Sequence, residues 1–409
     1  MSRRTLVLAL LFAAPYAALA AGAKEPIRVG FLTVSSGALA AGGRQMGEGL
    51  NLYLKEHGDK LAGRPIEVIT LDTAGQPATT RTRTQEAVER YKVHVIIGPL
   101  AAFEALAIND YVKQAKVPVI SPSAAAEDLT QRSPNPWFVR AVGSSAQPNQ
   151  PFGEYAAKTL GYKRIATIGD DFAFGHETTA GFQRTFEDAG GKIVQKQWAP
   201  LNVADYGSYV AGIKPDVDAV YASFAGANGL RFLRQYAEYG LKVPVLGNMT
   251  TVDEGILKNM GDEALGVVSC GWYSAAIDTP ANRKFVEAFR AAYGADPGYY
   301  SAGAYTAALF LDLALQKVHG KVEDKDAFMK ALRSLNVADS FRGPMRIDDH
   351  GNPVLIVYIR KVERKDGRLQ NTVLQTYQAV TQFWKYEPKA FLAQPVYSRD
   401  YPKASNVEP

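Results

Sequence analysis

The sequence predicts an α/β protein built as two similar lobes, each a parallel sheet with helices on both faces. Three observations predict it. Short β-branched runs alternate with amphipathic segments long enough to be helices. The alternation stops and begins again after a small, polar stretch at Gly143-Ser144-Ser145-Ala146-Gln147-Pro148, and neither series is interrupted by a helix-only or strand-only block. At 409 residues the chain is also too long for one core and suits two.

Ile27 to Val34 is β-rich and ends at the turn-prone Ser35-Ser36-Gly37, so it reads as the first core strand. Gly42 to His57 reads as a helix with Met46, Leu50, Tyr53 and Leu54 on one face, stopped by Gly58. Ile66 to Leu71 is a second strand, closed by Asp72. Pro77 stands just ahead of a helix from Ala78 to Tyr91, where helix starts favour proline.

The stretch from Val93 to Ser123 condenses the pattern. A β-branched run ends in Gly98-Pro99, a helix follows with Ala101, Ala105, Ile108 and Val112 at helical spacing, and a second run, Val117 to Ile120, ends in Ser121-Pro122-Ser123. Both turns fall at the carboxyl ends of parallel strands, where open α/β sheets hold their ligands. Free N–H groups at a helix start there favour an anion, so a carboxylate is the natural guest.

Beyond the crossover, strands are expected at 164–168, 193–198, 218–224 and 243–247, with helices at 176–189 and before Tyr239-Gly240. The run 266–271 reads as the return to the first lobe. Helices near 281–293, 300–318 and 325–335 precede a strand pair, 343–347 and 354–362, split by Asp348-Asp349-His350-Gly351-Asn352. The division that follows is 24–143 plus 272–352 for the first lobe and 144–271 plus 353–387 for the second. The Pro-rich, polar extension 388–409 is expected to wrap loosely or fray.

Arg3 and Arg4 precede an apolar run, Leu6 to Ala14, and small residues follow at Ala18-Leu19-Ala20 and Ala21-Gly22-Ala23, so residues 1–23 read as a cleaved secretory signal peptide. The run is well short of the roughly 20 residues that span a bilayer. No cysteine follows it, which argues against a lipid anchor, and a periplasmic location is expected. Loss of residues 1–23 removes two arginines and no acid, lowering the formal charge from +5 to +3, too mild for a nucleic-acid partner. Cys270 is the only cysteine, so no internal disulfide forms.

Catalytic machinery is not evident. The five histidines are scattered, with no pair at the i, i+4 spacing of a helical metal site. There is no Gly-x-Ser-x-Gly elbow and no phosphate loop. Asp170-Asp171 reads as a pair that satisfies N–H groups at a loop or helix start. No enzyme activity, cofactor or metal is expected.

The order of Ile96-Ile97-Gly98-Pro99, Val117 to Ser123, Leu129-Thr130, Phe138-Val139-Arg140, Gly169 to Gly175, Leu233-Arg234-Gln235, Tyr305 to Ala308, and Phe341-Arg342-Gly343-Pro344 with Asp348 and Gly351 resembles the leucine/isoleucine/valine-binding type of periplasmic solute receptor. The resemblance covers nearly the whole mature chain. It implies two Rossmann-like lobes joined by a three-crossover hinge, a ligand enclosed by hinge motion, and delivery to an ABC permease in the inner membrane. A monomer is expected.

Departures from that family point to the ligand. The serine and threonine hydroxyls that hold an amino acid's carboxylate fall at Ala102 and Ala125, the acid that pairs with its ammonium falls at or near Met249, and the first-loop aromatic falls at Gly42. The tyrosine of the second-lobe loop is Phe174. An unpaired buried ammonium costs several kcal/mol, so a free α-amino acid fits poorly. A flat aromatic acid of the benzoate or hydroxycinnamate kind is expected instead. Backbone N–H groups near Ala102 and Ser123, together with Arg44, would hold its carboxylate, with Phe103, Phe174, Phe224 and Tyr300 around its ring. The alternatives are a branched-chain amino acid or amide, and a sensor that docks on a signalling receptor.

Overall fold

Ile27–Thr33 (β1) is the axis of the first lobe: it pairs in parallel with Ile66 to Asp72 along its whole length and, on its other edge, with Val95 to Ile97. Strands enclosed on both edges and both faces have no use for polar alternation, and β1 is buried at every residue but Arg28. The computed structural model describes residues 25–408; the expected signal peptide, 1–23, lies outside them.

From β1 the chain runs through α1 (Ala40–Glu56), β2 (Lys60–Leu61), β3 (Arg64–Asp72), α2 (Pro77–Gln85), β4 (Val95–Ile97), α3 (Ala102–Ala115), β5 (Val119–Ser121) and β6 (Phe138–Arg140). The sheet order is β2-β3-β1-β4-β5-β6, and only β2 runs antiparallel. After the crossover come α4 (Asn149–Lys158), β7 (Arg164–Asp170), α5 (Ala173–Asp188), β8 (Lys192–Ala199), α6 (Gly207–Ala211), β9 (Ala219–Ser223), α7 (Asn228–Glu238), β10 (Val245–Gly247), α8 (Glu254–Leu257) and β11 (Val268–Gly271). Their strands form the second, parallel sheet.

The chain then returns to the first lobe with α9 (Pro280–Tyr293), α10 (Tyr299–Lys317) and α11 (Lys325–Arg333), whose buried faces join the same core as β1 and α1. It crosses a third time through β12 (Asn336–Val337) and β13 (Met345–Ile347) into β14 (Pro353–Lys365), which lies antiparallel on β11. Two crossings are tied by one side chain: Gln147 donates to the carbonyls of Pro353 (2.9 Å) and Val380 (2.8 Å) and accepts from Asn352 (2.9 Å).

Two expectations are corrected here. The strand expected at 354–362 is half of a long hairpin, because Arg368–Val380 (β15) pairs antiparallel with β14 around a turn at Asp366 and Gly367. The C-terminal extension does not fray. It opens with α12 (Pro388–Leu392), buries Phe391 and Tyr397 beside Phe383, and ends with Glu408 paired to Arg164 at 2.6 Å. Among the described residues no helix is long and apolar enough to cross a membrane, and no cluster of side chains is suited to a metal.

Candidate functional site

Two helix starts face each other across the gap between the lobes. Ala101 caps α3, and its N–H is held from behind by the buried carboxylate of Glu104 at 2.8 Å. The N–H groups of the first turn that follow have no acceptor within the helix. Opposite, Phe172 caps α5, leaving the first turn from Ala173 in the same condition. The start of α5 rests on Asp170, whose fully buried carboxylate accepts from the Ala225 N–H (2.8 Å) and from Asn228 (2.6 Å). Burial pushes the Asp170 carboxyl up to about 7 against those hydrogen bonds.

Between the helix starts lies a cavity with about 300 Å³ of empty space, counting the part open to solvent. The first lobe contributes Leu39, Leu100, Ala101, Ala102, Ser123 and Ala125 to its wall. From the second lobe come Phe172, Phe174, Ala225 and Thr250, and α10 adds Tyr299 and Tyr300. None of these twelve residues carries a charge. The lobes are closed over it: the Ala227 N–H donates to the Ala38 carbonyl at 3.3 Å, an approach that Gly226 permits, since a Cβ there would stand 2.4 Å from that oxygen.

Of the residues expected at the site, the structure brings Ala102, Ser123, Ala125, Phe174 and Tyr300 together in the wall. Phe103 stands at its edge, packed edge to face against Phe172 with centroids 5.4 Å apart. Three others lie elsewhere. Phe224 is sealed in the second lobe's core against Tyr206 and Phe232, because the strand it ends carries its ring away from the gap. Met249 is buried outside the wall, with its carbonyl accepting from Arg360 at 3.2 Å. Arg44 is on an outer face of α1 beside Glu48, its side chain 65% exposed.

Sequence reasoning missed Phe172 because it started the helix at His176, three residues late, which left Phe172 deep in a loop and not at the helix cap. It also missed Tyr299, whose hydroxyl donates to the Ser123 carbonyl at 2.8 Å and so fastens α10 to the turn after β5. The absence of an aromatic at Gly42 has a structural counterpart: the Tyr300 ring occupies that space, 3.0 Å from where a Cβ on Gly42 would lie. Asp253, the acid nearest Met249 in sequence, is directed at the N–H groups of Gly255 and Tyr299 and does not line the cavity.

A family model described as periplasmic binding protein matches residues 26–368. The chain belongs to the periplasmic binding protein family. That family consists of substrate-binding proteins, which makes the cavity between the helix starts the candidate binding site. One similar structure is a solute-binding protein of an ABC transporter from Rhodopseudomonas palustris BisB5 in complex with 3,4-dihydroxybenzoic acid: 36% identity, TM-score 0.83, covering 87% of this chain and 98% of that one. Another, from R. palustris HaA2 in complex with p-hydroxybenzoic acid, is 29% identical with TM-score 0.82 over 88% of this chain and 99% of its own. A relative named Leu/Ile/Val-binding protein homolog 6, from Brucella melitensis biotype 1, is 29% identical over 364 residues, 87% of this chain and 92% of its own length. Periplasmic binding proteins of this type therefore include both aromatic-acid complexes and relatives named for branched-chain amino acids.

Proposed function

We propose that this protein is the extracytoplasmic solute-binding component of an ABC importer. It captures a small aromatic carboxylate of the benzoate or hydroxycinnamate kind by closure of its lobes and hands it to a permease in the inner membrane. The observation that carries this reading is the uncharged wall: an α-amino acid would bury its ammonium with no carboxylate to meet it, whereas an aromatic acid brings no positive charge. The first-turn N–H groups of α3 and α5 suit the carboxylate, and Phe172, Phe174, Tyr299 and Tyr300 suit the ring.

The complexes of the two R. palustris proteins with dihydroxy- and hydroxybenzoic acid agree with this ligand class. Thermal-shift screening against amino acids, amides and aromatic acids tests it. Ligand at a hundred times its Kd stabilises by about 2.7 kcal/mol, a shift large enough to rank. Benzoates and hydroxycinnamates should lead that ranking; a ranking led by leucine would replace the aromatic-acid reading with an amino-acid one.

A further inference from the structure

Behind the Tyr299 face of the cavity lies a cation that has no counter-ion among the described residues. Arg342, on the third crossing between β12 and β13, is 2% exposed. Its Nη2 donates to the carbonyl of Ala141 and contacts Met345 Sδ at 3.0 Å, while Nε and Nη1 have no partner. The guanidinium carbon lies 4.3 Å from the centroid of the Trp272 ring, and Trp272 in turn packs on Tyr299 with centroids 5.2 Å apart. The ionisable groups that face Arg342 are the phenols of Tyr299 and Tyr358, not carboxylates. The other buried arginine near Tyr299 differs: Arg140 faces Glu127, Glu177 and Asp348 and donates to the Ala126 carbonyl and Thr130 Oγ1, both at 2.6 Å.

A buried guanidinium lacking both an acid and two of its hydrogen bonds is costly unless a negative charge reaches it. Among the described residues no carboxylate faces it, and the cavity lies beyond the Trp272 and Tyr299 rings. We propose that Arg342 is the charge-selecting residue of this binding protein: acting through Trp272 and Tyr299 without touching the ligand, it favours an anionic headgroup at the Ser123 end of the cavity. This inference rests on the aromatic-carboxylate reading, with the carboxylate toward Ser123, and adds a residue behind the wall that selects its charge. In a water-poor interior a unit charge acts over several ångströms, so contact is not required.

The test compares benzoate with nitrobenzene, a planar isostere with two acceptor oxygens and no net charge, by isothermal titration of wild type, Arg342→Met and Arg342→Lys. The expected result is a roughly tenfold loss of benzoate affinity in Arg342→Met, nitrobenzene unchanged within about twofold, and recovery of most of the loss in Arg342→Lys. A parallel loss of both ligands, or no loss of either, would overturn the charge-selecting role while leaving the aromatic-acid reading standing. Failure of wild type to bind any aromatic acid would overturn the reading and the inference together. A measurement on wild type alone covers the case in which the variants do not fold: the ¹³C-carboxyl resonance of bound benzoate, followed from pH 7 downward, should stay that of the carboxylate below the pH at which free benzoate protonates. Protonation at or above the free value would refute the proposal.

Discussion

Phe103, from the first turn of α3, and Phe172, at the cap of α5, meet edge to face across the gap between the lobes with ring centroids 5.4 Å apart. Phe172 also stacks toward Phe174 at 6.1 Å, so one aromatic row runs from the first lobe to the floor of the second. The row closes the cavity and supplies ring surface to it. Phe172→Ala should therefore weaken binding of an aromatic acid by about 5- to 30-fold, the equivalent of roughly 1–2 kcal/mol, with little change in the stability of the unliganded protein. Titration calorimetry beside a thermal melt separates the two, and equal affinity in the variant would remove Phe172 from the site.

Gly42 and Tyr300 compete for one volume. Alanine within a helix is ordinarily better than glycine by about 1 kcal/mol, but here its Cβ presses on a ring 3.0 Å away. Gly42→Ala should be destabilising in wild type and stabilising in a Tyr300→Ala background. Denaturant melts of the four proteins in that cycle check it, and the same sign in both backgrounds would show that the ring yields freely.

Where the lobes meet behind the cavity, the Glu127 N–H donates to Glu177 Oε1 at 3.2 Å, and Glu127 Oε1 accepts from the Ala146 N–H at 2.7 Å. Burial, then the neighbouring Glu127 carboxylate, pushes the Glu177 carboxyl well above its ordinary 4.5. A carboxyl whose folded value is raised stays protonated in the folded protein while the unfolded chain ionises. Its contribution is thus fully present at low pH and is lost as pH rises from about 4.5 toward the folded value. Oε2 of Glu177 has no partner, so Glu177→Gln fits the same space. The variant should match wild type near pH 4.5 and exceed it progressively above, by up to ~1.4 kcal/mol per pH unit within the window. Parallel stability curves would show that Glu177 does not titrate in this range.

The C-terminal extension is fixed to the second lobe by Phe391, which packs against Phe383, Tyr386 and Tyr397. Arg132 reaches it from the loop after β5, donating to the Phe391 and Pro395 carbonyls at 3.2 Å each. Phe391→Ala should cost about 3–5 kcal/mol where the extension folds with its lobe, and should expose 388–409 to limited proteolysis. An unchanged digestion pattern would mean the remaining anchors suffice.

How legible the molecule was depended on where its apolar residues fall. The parallel strands around β1, and the βαβ unit from Val95 to Ser121, announce themselves because strands buried on both faces are nearly all apolar and their helices keep a clean stripe. Strand β15 gives no such signal: its sequence, RLQNTVLQTYQAV, is mostly polar because it lies at an edge and only two of its residues are buried. The extension misleads in the opposite way, since its anchors at Phe391, Tyr397, Tyr401 and Glu408 are too far apart to form a pattern. At the site, the small residues Ala102 and Ala125 and the aromatic Phe174 follow from the family resemblance, whose motifs align through those positions. Phe224 and Arg44 do not, because the direction a side chain takes at a strand end or on a helix face is settled by packing against elements distant in sequence.

The central claim is that the cavity accepts a negative end and an aromatic ring and has no place for a buried ammonium. Titration calorimetry of the wild-type protein with 4-hydroxybenzoate and with leucine, side by side at the same pH, tests it most directly. The account predicts saturable binding of 4-hydroxybenzoate with a negative heat-capacity change and no comparable binding of leucine. Leucine binding as tightly as the aromatic acid, or more tightly, would contradict it.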